Sequence, residues 1–306
     1  MPLSAVQNTF AGNPLDRASD RRSDAAWIAA QLDSPDALVL ALWNGSPLLE
    51  EGPEGPRLAY LAAGLARELA EADGLLFLGL WRETPVFALE LDGSSDPAQG
   101  PLQGLGRFED MRTAGALLSG PEGGIAATAR AVFEWRRRHR FCSACGHASG
   151  SGDAGWRRVC SACRTEHFPR TDPVVIMLPI FGERCLLGRQ AAWPAGRFSA
   201  LAGFLEPGES IEEACAREVR EESALETVAV RYHSSQPWPF PSSLMIGLFA
   251  EVSSEEARPD QSELEAVRWF TRAEASALLE GRLPDLHAPP PLAIARKLIE
   301  GWVAGA

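Results

Sequence analysis

Glutamates are dense between Gly203 and Glu222, directly after a glycine-containing loop. At about 100° per residue in an α-helix, Glu218, Glu221 and Glu222 fall on the same broad arc as an apolar stripe. The stripe consists of Ile211, Ala214, Cys215 and Val219. A charged surface helix is the ordinary alternative, but it would keep its acids away from such a stripe. Carboxylates held at the margin of a core repel one another unless a cation compensates them, so the pattern predicts a divalent metal site.

The chemistry of such a site follows from its ligands. Carboxylate oxygens select hard cations, so Mg²⁺ or Mn²⁺ is the expected ion. For a substrate that contains a pyrophosphate, such an ion screens the phosphate charge and lowers the pKa of an attacking water. The glutamates therefore predict metal-dependent hydrolysis of a phosphate anhydride.

Four cysteines form two Cys-x2-Cys pairs with fourteen residues between the pairs. The four are Cys142, Cys145, Cys160 and Cys163. Two such pairs present four thiolates tetrahedrally to one zinc ion. Two disulfides are the alternative, but the polar residues 1–24 do not resemble a secretion signal, so reduced thiols are expected. Because sulfur fills all four positions, the zinc, one per chain, is predicted to be structural rather than catalytic.

Residues 235–243 form a third motif, Ser-Gln-Pro-Trp-Pro-Phe-Pro-Ser-Ser. Its alternating prolines fix φ and remove backbone donors, which predicts a stiff segment that displays Trp238 and Phe240 in fixed directions. Rigid aromatic side chains suit stacking on flat rings. A proline-rich ligand for another protein is the alternative, although the segment is embedded between the glutamates and an apolar strand.

The first part of the chain is predicted to be rich in strands. Apolar runs at residues 37–43 and 74–91 are interrupted by turn signals at 44–45 and 83–85. Stretches rich in Gly, Pro and Ser predict loops at 92–106 and 119–124. Helical periodicity then extends over residues 125–138.

The last part mixes strands and helices, which indicates an α/β or α+β fold. Strands are predicted around residues 174–179, 185–188, 244–252 and 266–270. A loop at 201–208, a helix at 210–222 and helical segments after Arg272 complete this region. The predicted domains are an N-terminal domain at 1–124, a linking helix at 125–140, a zinc ribbon at 141–170 and a catalytic domain at 171–306.

Composition and net charge argue against a membrane-spanning protein and against one that mainly binds nucleic acid. The chain is 45% hydrophobic, but its apolar runs, such as 173–181, are shorter than the roughly 20 residues that span a bilayer. The net charge of −12 argues against a protein whose main role is to grip nucleic acid. Residues 136–140, Arg-Arg-Arg-His-Arg, either contact phosphate or form a solvated helix end. We expect a cytoplasmic protein.

The glutamate-rich stretch resembles the Nudix box, Gly-x5-Glu-x7-Arg-Glu-hydrophobic-x-Glu-Glu-x-Gly-hydrophobic. Every defined position matches from Gly203 onwards except one, because Ala224 stands where the box has glycine. That residue follows the helix and carries no ligand atom, so the substitution concerns loop geometry rather than chemistry.

The chain also resembles NADH pyrophosphatases of the bacterial NudC type, which the motif at 235–243 marks. Phe141 with the four cysteines, Pro-Arg-Thr-Asp-Pro at 169–173 and residues 289–299 are similar to that family as well. The likeness covers the chain from about residue 125 to the C-terminus. It implies an α/β (α+β) chain with a C-terminal Nudix α/β/α sandwich and a zinc ribbon. The N-terminal part resembles a degenerate Nudix-like domain more weakly.

The resemblance implies hydrolysis of NADH or NAD to nicotinamide mononucleotide and AMP by a homodimer, and removal of NAD caps from RNA by bacterial members. It assigns the metal to Glu218, Glu222, Glu263 and the backbone oxygen of Ala202. Glu209 and Glu221 complete the box. Glu265 lies close enough to Glu263 in sequence to compete with it.

Other positions match substrate contacts of the family. They are Gln236, Pro237, Trp238, Pro239, Phe240, Pro241, Ser242, Ser243 and Ala295. Phe168 stands where the family often has tyrosine, and with Phe204 it is expected to flank a nicotinamide or adenine ring. Gly155 stands where some members have an acidic substrate contact, so that interaction is absent here.

The expected mechanism is in-line attack of an activated water on one phosphorus, with Glu221 or Glu222 accepting the proton. One alternative keeps this chemistry but favours NAD-capped RNA over free dinucleotide. Another is a catalytically weak protein that uses a Nudix fold to sense a nucleotide. Intact Glu218, Glu221 and Glu222 argue against the sensor.

Overall fold

The structure, a computed structural model, describes residues 6–71 and 74–305. These residues form two compact units. The N-terminal unit comprises Phe10–Thr171 and Pro237–Ser242. The C-terminal unit comprises residues 6–9, Asp172–Gln236 and residues 243–305. From Phe10 onward, the described residues of the predicted N-terminal domain, linking helix and zinc ribbon thus lie in one unit.

A seven-stranded sheet forms the centre of the N-terminal unit. Its strands are β1 (Leu38–Trp43), β2 (Ser46–Gly52), β3 (Gly55–Leu58), β4 (Tyr60–Ala62), β5 (Leu75–Trp81), β6 (Thr84–Leu91) and β7 (Arg107–Phe108). The helices are α1 (Ala25–Leu32), α2 (Ala63–Leu69), α3 (Met111–Leu117) and α4 (Gly120–Arg138). The strand order is β3-β2-β1-β6-β5, and β1 and β6 are parallel. β1 is apolar throughout because it is a central, buried strand.

Helix α4 begins earlier than predicted. Residues 119–124, predicted to be a loop, include its first turns. Proline is tolerated in a first helical turn, where its missing N–H would have no partner in any case. A Cβ at Gly124 would lie 2.7 Å from the backbone nitrogen of Asn13, so glycine serves a close contact at this position. The loop prediction was wrong because Pro121 lies in the first turn of the helix and Gly124 makes a close packing contact.

The four cysteines lie in and beside a small three-stranded sheet in the N-terminal unit. Its strands are β8 (Ser149–Gly152), β9 (Arg157–Cys160) and β10 (Glu166–His167), in the order β10-β9-β8 and antiparallel throughout. The strands are short and carry few apolar side chains. This part of the chain therefore depends on something other than a hydrophobic core.

A six-stranded sheet forms the centre of the C-terminal unit. Its strands are β11 (Asp172–Phe181), β12 (Arg184–Arg189), β13 (Leu201–Phe204), β14 (Thr227–Trp238), β15 (Ser243–Val252) and β16 (Ala266–Thr271). The helices are α5 (Ile211–Ser223), α6 (Arg272–Leu279) and α7 (Ile294–Val303). The strand order is β14-β15-β11-β12-β16, with β13 antiparallel to β11 and β15 parallel to it.

Helices cover both faces of this sheet. Alternate residues of β11 enter two different cores, since Val175 packs with Val219 of α5 whereas Ile176 packs with Leu298 and Trp302 of α7. The arrangement is an α/β/α sandwich, and the predicted fold class is confirmed. Among the described residues, we find no helix with the length and apolarity needed to cross a bilayer.

The two large sheets share one topology. In each, a central strand forms a hairpin with the next strand, pairs antiparallel with a short strand and lies parallel to a later one. A helix follows the short strand in both, α2 in one unit and α5 in the other. Helix α2 has 7 residues with Glu68 as its one glutamate, whereas α5 has 13 residues and carries the box.

Two strands were missed by the sequence prediction. β13 lies within the predicted loop 201–208, and β14 continues through Gln236 and Pro237. β14 is an edge strand, where proline is tolerated because its missing N–H is not needed by the ladder. The segment 235–243 is thus partly the end of a strand and partly the connection to β15.

Candidate active site and zinc ribbon

Local signals define the box helix α5 at both ends. The Ser210 hydroxyl accepts a hydrogen bond from the Glu213 backbone (3.2 Å), and the Glu213 carboxylate accepts one from the Ser210 backbone (2.7 Å). This capping box satisfies two donors at the helix start. At the other end Ala224 adopts a left-handed conformation with φ 58°. The box has glycine there because glycine reaches this conformation without strain.

The buried face of α5 includes two of the three predicted carboxylates. Glu218 is 8% exposed and Glu222 is 4% exposed, beside the fully buried Val219. Glu221 is exposed, contrary to its predicted place beside the apolar stripe. It lies on the shoulder of the arc, since a helical step of about 100° places it outside the sector between Glu218 and Glu222.

Arg217 holds three box carboxylates at once. Its guanidinium donates to both oxygens of Glu209 (2.6 and 2.9 Å), to Glu218 (2.7 Å) and to Glu221 (3.0 Å). A further bond reaches the Phe204 carbonyl at 2.9 Å. The paired bonds from Arg217 lower the pKa of Glu209 to about 2. Glu209 therefore stays ionised and ties the loop before α5 to the helix.

Glu222 lies in the opposite environment. Burial, followed by the charges of Glu218 and Glu263, raises its pKa to about 8, although a hydrogen bond from the Ala202 backbone opposes this. Its Oε2 atom is buried and has no hydrogen-bond partner. A buried carboxylate oxygen without a partner is costly unless a cation compensates it, so the donor set fits a hard divalent ion.

Gly203 leaves room for this arrangement. A Cβ at Gly203 would overlap the carboxyl group of Glu218. Burial raises the pKa of Glu218 despite its contact with Arg217. The first glycine of the box thus makes space for a box carboxylate, a role that its position in the sequence motif does not reveal.

The structure distinguishes between the two glutamates after β15. Glu263 is exposed, and its charge raises the pKa of both buried box carboxyls. Its backbone donates to Asp260 (3.0 Å), whose side chain also accepts from the Leu264 backbone (2.9 Å). Glu265 instead forms an ion pair with Arg189. Glu263 is therefore the one of these two glutamates whose charge acts on the buried carboxyls of the box.

Other predicted substrate residues face inward. Gln236 is fully buried, and its amide donates to the carbonyls of Thr9 (3.1 Å) and Leu292 (2.7 Å) and accepts from Ile294 (2.9 Å). Ala295, on α7, is 2% exposed and packs in the core of the C-terminal unit. Neither side chain is displayed at the surface.

The aromatic segment is anchored rather than freely displayed. Trp238 and Phe240 are half-buried against the core of the N-terminal unit. Their ring centroids lie 5.0 Å apart, and each ring also makes an edge contact with Phe10. Pro239 is buried, and the flanking prolines and serines of the segment are partly exposed: Pro237, Pro241, Ser242 and Ser243.

Two phenylalanines predicted to flank a ring are exposed, Phe168 at 60% and Phe204 at 61%.

Gly155 has φ 101°, and a Cβ there would lie 2.8 Å from Leu76. The backbone at this position therefore suits glycine, and an acidic side chain would be strained.

The four cysteines converge. Their sulfur atoms all lie within 4.8 Å of one another, and among the described residues no other group of three or more His, Cys, Asp or Glu ligands does so. Backbone N–H groups of Ala144 and Cys163 point at the sulfurs of Cys142 and Cys160, at 3.4 Å each. Hydrogen bonds from Thr165 lower the pKa of Cys163 to about 6. Thiols at this spacing, one of them readily ionised, fit a tetrahedral zinc ion.

Comparisons with known families match these regions. Residues 170–290 match the NUDIX domain, and residues 36–135 match the NADH pyrophosphatase-like rudimentary NUDIX domain. Residues 137–168 match the NADH pyrophosphatase zinc ribbon domain. The predicted zinc cofactor is confirmed by the last match together with the cysteine geometry.

Curated relatives are similar over most of the chain. An NAD-capped RNA hydrolase of Homo sapiens is 34% identical over 98% of this chain and 74% of its own. A mitochondrial NAD(P)H pyrophosphatase of Homo sapiens is 40% identical over 65% of this chain and 60% of its own. An NAD-capped RNA hydrolase of Mycobacterium bovis is 41% identical over 64% of this chain and 65% of its own.

Proposed function

The chain belongs to the Nudix hydrolases of the NADH pyrophosphatase type, and from this membership we propose that it hydrolyses the pyrophosphate of NADH and NAD. The products are reduced or oxidised nicotinamide mononucleotide and AMP. The same chemistry removes NAD caps from RNA, an activity named for two of the relatives. We further propose that the protein works in the cytoplasm as a homodimer.

The observation that carries this proposal is the unpartnered Oε2 of Glu222, buried among carboxylates on the box helix. Glu218, Glu222 and Glu263, with the backbone oxygen of Ala202, would hold Mg²⁺ or Mn²⁺. When bound, such an ion neutralises pyrophosphate charge and lowers the pKa of an attacking water.

The residues of the chain supply positioning and proton transfer. Arg217 fixes Glu218 and Glu221, and Glu209 fixes Arg217 in return. Either Glu221 or Glu222 accepts a proton as water attacks one phosphorus in line and the second phosphate leaves with its nucleoside. The partly exposed residues of the segment 237–243 and the exposed rings of Phe168 and Phe204 are proposed to contact the substrate.

Product analysis tests the function directly. The purified protein is incubated with Mg²⁺ and NADH, NAD, ADP-ribose or NAD-capped RNA, and the products are separated by chromatography. We expect nicotinamide mononucleotide and AMP from the free dinucleotides, and RNA with a 5′ monophosphate from the capped RNA. Binding without turnover would support the sensor instead.

Glu222→Gln tests the box. We expect turnover to fall by at least about a hundredfold, the scale of losing a positioned acid-base or charge-stabilising group. The change replaces one oxygen by an amide, so folding should be retained. Glu212→Gln is the matched control, because Glu212 is exposed in the first turn of the same helix. Near-normal turnover in folded Glu222→Gln protein would mean that the carboxylates serve structure only.

A further inference from the structure

The rudimentary domain has no carboxylate cluster on α2, yet it contacts the aromatic segment Pro237–Ser242. The contact centres on Arg130, which lies on α4. Its Nε donates to the Pro239 carbonyl at 2.9 Å, and its guanidinium lies 5.2 Å from the Phe240 ring centroid. One side chain therefore fixes both the backbone and a ring of the segment.

Arg130 is itself held in place. Its Nη1 donates to the Gly45 carbonyl at 2.5 Å, in the turn between β1 and β2. Within the described chain, its guanidinium lies within ion-pair distance of no carboxylate. The charge is thus directed at two carbonyl oxygens and an aromatic face, and such charge-assisted bonds are stronger than neutral ones.

Two neighbours shape the surroundings of Arg130. Gly45 has φ 77°, and a Cβ there would lie 2.8 Å from Nη1 of Arg130. Arg112 of α3 stacks on Phe240 at 4.0 Å from the ring centroid. The Phe240 ring therefore faces two guanidinium groups, and the hairpin turn leaves space for one of them.

We propose that Arg130 is a positioning residue for the dinucleotide, acting through the segment Pro237–Ser242. It holds the Pro239 carbonyl and the Phe240 ring and thereby sets the shape that the segment offers to a substrate. This inference rests on the proposed function, which assigns substrate contact to the segment. It gives the rudimentary domain a role in substrate affinity without any part in the chemical step.

The first test separates binding from chemistry. Arg130→Met is expected to raise KM for NADH about tenfold, which corresponds to the loss of one charge-assisted hydrogen bond. kcat should change by less than about twofold, because only the segment is disturbed. Arg130→Lys should recover part of the loss, since a single ammonium cannot reproduce both bonds of the planar guanidinium. Arg67→Met is the matched control, because Arg67 is an exposed helical arginine that pairs with Asp33.

A second readout detects the segment itself. Hydrogen exchange of a peptide spanning residues 236–244 should accelerate in Arg130→Met and not in Arg67→Met. The remote change Gly45→Ala should also raise KM, because its methyl group would displace the Arg130 guanidinium. A double-mutant cycle of Arg130→Met with Phe240→Leu should be non-additive.

The KM values of the Arg130 and Trp238 variants show separately whether the inference or the proposed function fails. An unchanged KM in folded Arg130→Met protein overturns the positioning role if Trp238→Ala still raises KM. If Trp238→Ala also leaves KM unchanged, the segment does not bind substrate and the proposed function is wrong on that point. Should Arg130→Met fail to fold, Arg130→Lys and Gly45→Ala decide, and a normal KM in both overturns the inference.

Discussion

Two glutamates of one box have opposite electrostatic environments. Paired hydrogen bonds from Arg217 lower the pKa of Glu209 to about 2, whereas burial raises the pKa of Glu222 to about 8. The two carboxyls are thereby suited to different tasks. Glu209 anchors Arg217 through its carboxylate, and Glu222 is the carboxyl that we propose a bound cation keeps charged.

The residue after the box helix gives a stability prediction. A residue with a side chain at a left-handed position costs about 1–2 kcal/mol, and glycine removes this at an entropic cost of about 0.4–1 kcal/mol in the unfolded state. Because Ala224 has φ 58°, Ala224→Gly should stabilise the protein by about 0.5–1 kcal/mol in urea unfolding, with kcat unchanged. Ala273→Gly, in the exposed part of α6, should destabilise it. Equal effects at both positions would contradict the assigned conformation.

Glu90, near the end of β6, predicts a pH dependence of stability. Burial, followed by the charge of Asp92, raises its pKa from 4.5 to about 7. Its protonated form therefore favours folding below about pH 4.5, and this contribution is lost as the pH rises through about 7. Glu90→Gln mimics the protonated form and should raise the free energy of unfolding at pH 8 by on the order of 1–2 kcal/mol, with a much smaller gain near pH 5.

The control for that experiment is Glu83→Gln, which changes an exposed glutamate in the hairpin before β6. It should have no effect at either pH. A gain from Glu90→Gln that is equally large at pH 5 and pH 8 would show that the side chain acts by packing rather than by its charge.

At the scale of elements, local signals were sufficient for the box helix. Ser210 and Glu213 form the capping box, and the apolar residues of α5 recur at helical spacing, so its limits follow from neighbouring residues. β14 has no such signal over its first half, because it is an edge strand whose burial does not alternate over residues 227–232. β13 is four residues long and contains Gly203, so it was predicted as a loop.

The candidate site was only partly predictable, because its geometry depends on more than local sequence signals. The motif named the carboxylates, but burial of Glu222, exposure of Glu221 and the inward hydrogen bonds of Gln236 depend on contacts with distant parts of the chain. The anchoring of Trp238 on Phe10 also joins residues far apart in sequence. The spacing of residues along one helix does not show which distant parts of the chain they contact.

The zinc ribbon gives a prediction at the same scale. Its strands are short, so cysteine ligation rather than a hydrophobic core should stabilise it. Removal of zinc by a chelator should lower Tm by at least about 5 °C and leave kcat nearly unchanged well below Tm. Cys163→Ser should lose zinc, whereas Cys185→Ala, at a buried thiol outside the ribbon, should retain it. Protein purified without chelators that contains no zinc, or zinc that exchanges freely with Mg²⁺, would overturn the assignment.

At the scale of the whole molecule, the charge of the protein predicts how it binds NAD-capped RNA. The net charge is −12, and within the basic run at 136–140 both Arg137 and Arg138 pair with Glu134. We therefore expect recognition of the dinucleotide end with few contacts along the RNA. KM for NAD and for a capped RNA of about twenty nucleotides should show nearly the same salt slope when magnesium is fixed.

The opposite result is equally informative. Each neutralised phosphate of a single strand contributes about 0.7 to the logarithmic slope, so an excess of about 2 for RNA would correspond to roughly three more phosphates. Replacing the arginines of the run at 136–140 should then remove the excess. NAD-capped RNA would in that case become the better candidate for the natural substrate.

The division of the chain into units also limits how this protein can be cut or recombined. The polypeptide passes from one unit to the other after Thr9, Thr171, Gln236 and Ser242. A fragment that starts at Asp172 would lack Asn8 and Thr9, which bind Ser234, Ser235 and Gln236 inside the C-terminal unit. No single crossover can therefore exchange one unit for a foreign one, and the catalytic and rudimentary parts are expected to be inherited together.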